Sequence, residues 1–395
     1  MGYRKFKSDY LFDGNRFLFN NNVLITNEEG EIIEIVDNKE AGDDVEIYKG
    51  IISPGFINAH CHLELSHLKG IIPENTGLID FIIKVVTLRH FATEEIFEAI
   101  DKAEKEMLQN GIVAVGDISN NNLTIFQKKK RNLAYYNFIE TSGWLPQIAS
   151  QRFDLGKIYY DEFINNNLKA SIVPHAPYSV SNDLWGKMIP FFKEKVITIH
   201  NQETIHEDAF LTEGKGGFLK MYELLNIDNS FYQPPKIKSV ESYFKKLSLA
   251  PSVILVHNTF TQQEDIDFIN AHKPIEQAVS FCLCPNANLY IENKLPPVDL
   301  FLENKINIIL GSDSLSSNRQ LNILEEIKTI AKNFPEVETE TMLQWATMNG
   351  AKALQMDDQL GSFEKGKTPG IVLIENVEDG KITGRSRIRN LLFEG

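Results

Sequence analysis

Cysteine is scarce in this chain of 395 residues: only Cys61, Cys282 and Cys284 occur. Three thiols build no disulfide framework, and such scarcity suits a reducing compartment. Cys282-x-Cys284 lacks a second pair that would complete a metal knot, so it reads as two small buried hydrophobes. Long apolar runs are missing as well. No stretch reaches the roughly 18 residues of a membrane-spanning helix. The opening MGYRKFKSDYLFDG has no apolar leader core, and it carries Phe6 where a myristoylation signal takes Ser or Thr. The expectation is a cytoplasmic protein with no membrane partner.

Positive charge is in deficit. Forty Lys and Arg stand against 54 Asp and Glu, for a net −14. Nucleic acids and anionic membranes both require basic patches, so no nucleic-acid partner is expected. The one basic run, Lys128-Lys129-Lys130-Arg131, reads as a solvated helix end. No glycine-rich phosphate loop follows any strand-like run, and EGKGG at 213–217 reads as a flexible loop.

What is present is enough apolar material for a large core: 43% hydrophobic residues, with a mean hydropathy of −0.22. The first fifty residues read as short strands, with apolar runs at 10–15, 17–26 and 31–36 punctuated by Asp-Gly, Asn-Asn-Asn and Glu-Glu-Gly. Beyond Ile51 the pattern changes to strands alternating with helices. Apolar runs at 50–58, 112–117, 133–140, 170–174, 196–200, 252–257, 278–284 and 306–311 make eight strand candidates. Between them lie helix signals: Thr93 capping a helix stopped by Gly111, Ser181 capping a segment through Phe192, and Thr261–Glu264 as a capping box. Continuously apolar strands separated by helices imply a parallel sheet covered on both faces. Eight of them make a (β/α)8 TIM barrel the expected α/β architecture, with an open doubly wound sheet as the alternative. After Leu354 short strands return, the last near 387–393. The expected division is a small β-sandwich from residues 1–53 plus 356–395, beside a catalytic barrel of 54–355.

The ligand-type residues fall in one place on this layout. His60 and His62, in PGFINAHCHLELSH, follow the first barrel strand, and side chains two apart in an extended segment share a side. His175 follows the fourth strand, His200 ends the fifth with Glu203 three residues on, His257 ends the sixth and Asp313 the eighth. Five of nine histidines thus sit at C-terminal strand ends, which converge on one mouth in a barrel. Imidazoles with one carboxylate suit Zn²⁺ or Fe²⁺, and a catalytic site keeps one position open for water. Glu203 is then available to move protons.

These residues also carry a resemblance. PGFINAHCH, HNQE, ILVHN and GSDS, together with the closing GSFEKGKTPGIVLI, are similar to the metal-dependent amidohydrolase superfamily over nearly the whole chain. His-x-x-Glu after strand five points to its deaminase and chlorohydrolase branch. The resemblance implies one divalent metal, zinc or iron, on His60, His62, His200 and Asp313. It also implies a catalytic trio of Glu203 as proton shuttle, His257 on the water or oxyanion, and Asp313. His175, Glu64 and Asn288 are the expected substrate contacts. Two-metal members bridge their ions with a carboxylated lysine after strand four, where this chain has Val173-Pro174-His175, so one metal is expected. Two departures stand out: Thr368-Pro369-Gly370 replaces the usual alanine-aspartate, and Cys282 and Asn286 stand where relatives often carry His and Ser.

The implied activity is hydrolytic deamination of an amino-substituted nitrogen heterocycle, such as an adenine-containing nucleoside derivative. HCHLELSHLKG resembles deaminases acting on aminodeoxyfutalosine in particular. Chlorohydrolase or cyclic-amide hydrolase activity is the enzyme alternative, and a catalytically dead binding barrel the non-enzyme one. The partner expected is a small heterocycle, and a homodimer is the assembly to test. Glu64, Arg89, Trp144, Arg152 and Tyr232 lie in segments beyond strand ends, where substrate contact and ordinary packing are both open. Phe231 and Tyr232, before Pro234-Pro235, read either as a stacking face for a substrate tail or as a lid packed on its own hydrophobes.

Overall fold

Seven short strands open the chain: β1 (Tyr3–Lys7), β2 (Tyr10–Phe12), β3 (Phe17–Leu18), β4 (Asn22–Asn27), β5 (Ile32–Asp37), β6 (Glu46–Ile47) and β7 (Ile51–Pro54). Eight more alternate with helices: β8 (Phe56–Cys61), β9 (Ile112–Ser119), β10 (Ala134–Thr141), β11 (Ala170–Pro174), β12 (Val196–Asn201), β13 (Ser252–His257), β14 (Ala278–Leu283) and β15 (Asn307–Leu310). β16 (Ile371–Glu375) and β17 (Arg387–Asn390) close the chain. The computed structural model describes residues 2–18 and 21–392, so Phe393, at the end of the expected last strand, lies outside the described residues.

The eight alternating strands form two four-stranded parallel sheets, ordered β8-β9-β10-β11 and β12-β13-β14-β15. Each neighbour follows its predecessor in sequence through a crossover long enough to return the chain to the same edge, as parallel pairing demands. The two sheets touch at both edges. Asp313 N–H donates to the His60 carbonyl (3.0 Å) beside a parallel bridge between Cys61 and Asp313, and His200 N–H donates to the His175 carbonyl (3.0 Å). The helices bury one stripe each. Thr93–Gln109 turns Ile96, Ile100, Ala103 and Met107 inward, and Ile323–Asn333 does so with Ile323, Leu324, Ile327 and Ile330; both sets recur at the three-to-four spacing of a helix face.

The single apolar run expected at 50–58 divides at Gly55. β7 joins the outer sheet β17-β16-β7-β2-β3, and β8 begins the inner one. Gly55 permits the switch because a side chain there would strike Val113 and the Pro369 carbonyl. β16 pairs antiparallel with β7, so the C-terminal segment completes a sheet begun by the N-terminal one. Phe6, Leu24 and Ile32 of the other outer sheet, β5-β4-β1-β6, share a buried cluster with Ile52, Ile371 and Leu373. Ser181 caps its helix as expected, its hydroxyl accepting from Leu184 N–H, whereas Thr93 is already the first helical residue and Ala92 holds the extended cap position before it. The expected box at Thr261 is displaced by one residue: Gln262 N–H donates to Asp265, while the Thr261 hydroxyl turns inward to Gln202.

The basic run requires a correction. Lys128 is buried on the short helix Ile125–Lys128, its Nζ 2.5 Å from Asp117 Oδ2 and 3.1 Å from Ser119 Oγ. Asp117 Oδ1 in turn accepts the backbone N–H of Leu63 (2.8 Å), directly after His62. Lysine periodicity conceals such a partner, because the partner lies on a strand eleven residues earlier. Breaking a buried pair leaves one charge uncompensated, so Lys128→Met is expected to lower unfolding free energy by about 3–5 kcal/mol. Urea denaturation checks this, and a loss under about 1 kcal/mol, the range of exposed pairs, would place Asp117 in contact with water instead.

Candidate metal centre

His60 and His62 project from the end of β8 to the same side, and their Nε2 atoms lie 3.2 Å apart. His200, from the end of β12, brings its Nε2 to 3.4 Å from that of His62. Asp313, just past β15, places Oδ1 at 3.5 Å from His60 Nε2 and 3.4 Å from His62 Nε2. All four residues are buried. Around a zinc ion with bonds of about 2.0–2.1 Å, tetrahedral ligand edges measure roughly 3.3 Å, so these donors have the spacing of one coordination shell.

Neighbouring groups fix which atom of His200 and of Asp313 faces the shared position, whereas His60 Nδ1 and His62 Nδ1 have no hydrogen-bond partner among the described residues. His200 Nδ1–H donates to the His175 carbonyl (2.9 Å), which leaves Nε2 with a free lone pair. Burial pushes His200 down to about 4 and His62 well below the usual imidazole range, so both are neutral donors. The Ser317 hydroxyl donates to Asp313 Oδ2 at 2.5 Å and reserves Oδ1 for the shared position. Burial works to raise the Asp313 carboxyl, but the His60 contact and the nearby His62 and His257 outweigh it and hold it well below the carboxylate range. Gly311 is required by crowding: a Cβ there would lie 2.8 Å from His60 Cβ and 2.9 Å from Cys282 Sγ. Neutral imidazoles with one carboxylate are the donor set of zinc or ferrous iron, and the residues present fit that group.

Glu203 and His257 stand beside the ligands. His257 Nε2 lies 3.6 Å from Glu203 Oε1. Asn288, expected to touch substrate, instead sits behind His257 with its Nδ2 3.1 Å from His257 Nδ1, and it is not among the residues lining the cavity. With the amide donating, Nδ1 is the acceptor and Nε2 carries the proton, so His257 presents a donor rather than a metal ligand. Both His257 (φ +74°) and Asp313 (φ +56°) hold left-handed backbone conformations, uncommon outside glycine and concentrated at functional sites. Glu203 is held by Glu207, whose carboxylate accepts the N–H groups of Glu203 (2.9 Å) and Gln202 (3.0 Å). Burial first, then the charges of Asp313 and Glu207, push the Glu203 carboxyl well above its usual range, favouring its proton-carrying form.

A cavity of about 480 Å³ opens over these groups. His62, His175, His200, Glu203, His257 and Asp313 line its floor, while Glu64, Arg89, Trp144 and Arg152 also line it. Glu64 accepts Asn120 N–H on both oxygens, and burial raises it to about 7. His175 is pushed to about 4 by burial, and its Nδ1 meets the Ser179 hydroxyl at 2.7 Å. Tyr232 does not line the cavity. It stacks on Phe210 at 4.4 Å between centroids and donates its hydroxyl to the Phe210 carbonyl, the geometry of a lid packed on its own hydrophobes. Trp144 does line the cavity, as do Phe81, Tyr178 and Tyr222; it stacks on Tyr222 (5.3 Å, 13°) with Nε1–H donating to Asn229 Oδ1.

Of the cavity residues that escaped the sequence reading, one carries an unused buried acceptor. Glu140, at the end of β10, lies with Oε2 3.4 Å from His200 Nδ1, and that buried oxygen has no hydrogen-bond partner among the described residues. Its position at a C-terminal strand end, like those of the histidines, was the available signal.

The amidohydrolase-family sequence profile matches residues 51–392. A 5-methylthioadenosine/S-adenosylhomocysteine deaminase of Thermoanaerobacter pseudethanolicus is 27% identical over 382 residues, covering 90% of this chain and 80% of that protein. An adenosine deaminase of Helicobacter pylori is 25% identical over 369 residues, covering 87% and 88%. The crystal structure of Helicobacter pylori aminofutalosine deaminase in complex with methylthio-coformycin superposes with a TM-score of 0.82 at 23% identity, covering 95% of this chain and 93% of that one.

Elemental analysis of the purified protein is expected to find about one zinc or iron per chain. His200→Ala should strip it, because a three-donor remainder binds far more weakly. Two tightly held metals, or full occupancy in the variant, would contradict the single shell.

Proposed function

We propose that this chain, which belongs to the amidohydrolase family, is a metal-dependent aminohydrolase that removes the exocyclic amino group of an adenine-containing nucleoside derivative as ammonia. The observation that carries this reading is the meeting of the His60, His62, His200 and Asp313 donors beside buried Glu203 and His257 at the base of one cavity. His60, His62, His200 and Asp313 hold the metal, with zinc the first choice for an N₃O donor set.

When bound, the metal supplies hydroxide from water near neutral pH. Glu203 carries the water's proton to the ring nitrogen beside the amino-bearing carbon. That carbon becomes tetrahedral once the hydroxyl oxygen has added to it. His257, whose Nε2–H is set by Asn288, donates to the new oxygen and stabilises its charge. Asp313 takes up the hydroxyl proton and passes it to the departing amino group, so ammonia leaves and a ring carbonyl remains. His175, neutral and braced by Ser179, meets the base. Glu64 and Glu140 present buried acceptor oxygens to hydroxyl donors of a sugar; the unfilled Glu140 Oε2 is costly until such a donor arrives.

The same reading extends to the fold. The two four-stranded sheets are the halves of one (β/α)8 barrel over 54–355, joined through the His60–Asp313 and His175–His200 bonds. The outer sheets, from 1–53 plus 356–395, are its flanking sandwich. Backbone contacts across both inner seams and the cluster shared by the outer sheets support this division.

Ammonia release from 5′-deoxyadenosine, methylthioadenosine and adenosine, with a matching loss of the adenine absorbance, tests the activity directly. Glu203→Gln keeps the side chain's size but removes its ability to accept and return a proton. It is expected to keep its metal and lose about 10²–10⁴-fold in kcat. A variant within a few-fold of wild type would assign the proton transfer to another group.

A further inference from the structure

Glu326 is a buried carboxylate with no part in the cavity lining. It sits on the helix Ile323–Asn333 and accepts three N–H groups: that of the Asn286 backbone on Oε2 (2.9 Å), and those of the Asn286 and Asn318 side-chain amides on Oε1 (2.9 Å each). Burial raises its carboxyl to about 8 even against these donors. An apolar side chain fills such a position at less cost than an ionisable one. The reason for a carboxylate there lies in what its two partners hold.

Asn286 leads to His257. It stands in the first turn of the helix Pro285–Glu292, two residues before Asn288, and its Oδ1 accepts the Thr329 hydroxyl (2.5 Å). That side chain is therefore tied twice to the helix Ile323–Asn333, at Glu326 and at Thr329. Asn288 meets His257 Nδ1 through Nδ2, while its Oδ1 is buried with no hydrogen-bond partner among the described residues. No second bond orients the Asn288 amide, so its aim depends on where the helix start is held. Asn318 leads to Asp313. Its Nδ2 also donates to the Ser312 carbonyl (2.8 Å), part of the peptide unit on which the left-handed φ of Asp313 (+56°) depends. Asn58 grips the same residue from the other end, accepting Ser312 N–H (2.9 Å) and donating to its hydroxyl (2.7 Å). Backbone in that region persists only where neighbours over-determine it.

We infer that Glu326 is a positioning residue: through Asn286 it aims Asn288 at His257, and through Asn318 it holds the turn that presents Asp313. The first arm rests on the aminohydrolase reading of the floor, and the second concerns the metal donors alone. Glu326 itself stays outside the cavity where the reaction takes place. Its one carboxylate instead joins the segments that follow β14 and β15, so the N–H of His257 and the carboxylate of Asp313 keep their places relative to each other. An amide cannot replace it, because glutamine offers one acceptor oxygen and turns an N–H₂ toward one of the three donors.

Glu326→Gln should lower kcat on adenosine or methylthioadenosine by about 10–100-fold per zinc-loaded chain, with KM within about threefold, and weaken zinc by about tenfold or more in competition with a chelator. A role confined to folding would lower the melting temperature and move neither quantity. The losses should also overlap with those of the partners. On an Asn288→Ala background Glu326→Gln should cost at least about threefold less in kcat than it does in wild type, and on an Asn318→Ala background at least about threefold less in zinc affinity, because each background has already lost the link. Losses that multiply in full on either background would overturn the shared clamp, as would a kcat or a zinc affinity within about twofold of wild type. Should Glu326→Gln fail to fold, Asn286→Ala and Asn318→Ala replace it: the first should lower kcat, the second should weaken zinc, and a wild-type value for either overturns the clamp. If wild type turns over no adenine nucleoside, the aminohydrolase reading falls. Zinc affinity alone then judges Glu326, and an unchanged value in Glu326→Gln overturns its positioning role.

Discussion

Three imidazole nitrogens and a carboxylate oxygen on buried side chains come within 3.2 to 3.5 Å of their neighbours at the base of one cavity. Without a cation, such lone pairs face one another with nothing between them, a costly arrangement inside a protein. Much of the inner architecture serves to enforce that crowding. The His60 carbonyl accepts the N–H groups of Ser312 and Asp313, and the His175 carbonyl accepts both His200 N–H and Nδ1–H. The hydrogen bonds joining the two inner sheets are therefore the same ones that orient the ligands. A metal on these four side chains also ties β8, β12 and the segment after β15 together, so its binding energy adds to the cohesion of the two sheets.

The inner fold was legible because each buried strand is a continuous apolar run, and the runs are separated by helices with recognisable ends. The boundaries differ from the expected ones by one or two residues at most strands, with the largest change at 50–58. There hydrophobicity cannot reveal that Gly55 moves the chain from one sheet to another, since both halves are equally buried. The candidate ligands were legible for a related reason: histidines and an aspartate at the C-terminal ends of apolar strands have no packing purpose there.

What stayed hidden were groups whose partners are distant in sequence. Lys128 looked solvated because its neighbours are lysines, yet it is paired with Asp117, which in turn holds Leu63 and so anchors the turn that presents His62. Asn288 was expected at the substrate from the resemblance alone; the first turn of the helix Pro285–Glu292 carries it behind His257 instead. Tyr232 read as a stacking face, but residues of a long insertion bury one another first, and its ring went to Phe210. Sequence spacing locates a side chain along an element, whereas direction depends on what competes for it across the fold.

The depth and the mouth of the cavity obey different constraints, and this bears on how selectivity arises. At the floor, His257 and Asp313 adopt backbone angles that most residues avoid, and Gly311 admits no side chain. Almost any change there disturbs a ligand, so the floor is restricted to one kind of chemistry. The mouth is built from helix surfaces, Gly77–Leu88, Ala149–Asn165 and Gly217–Leu224, none of which contributes a ligand. Side chains there can change without moving the metal shell, because they are supported by helices packed outside the inner sheets. Side chains at the mouth can therefore vary while the floor keeps its donor set.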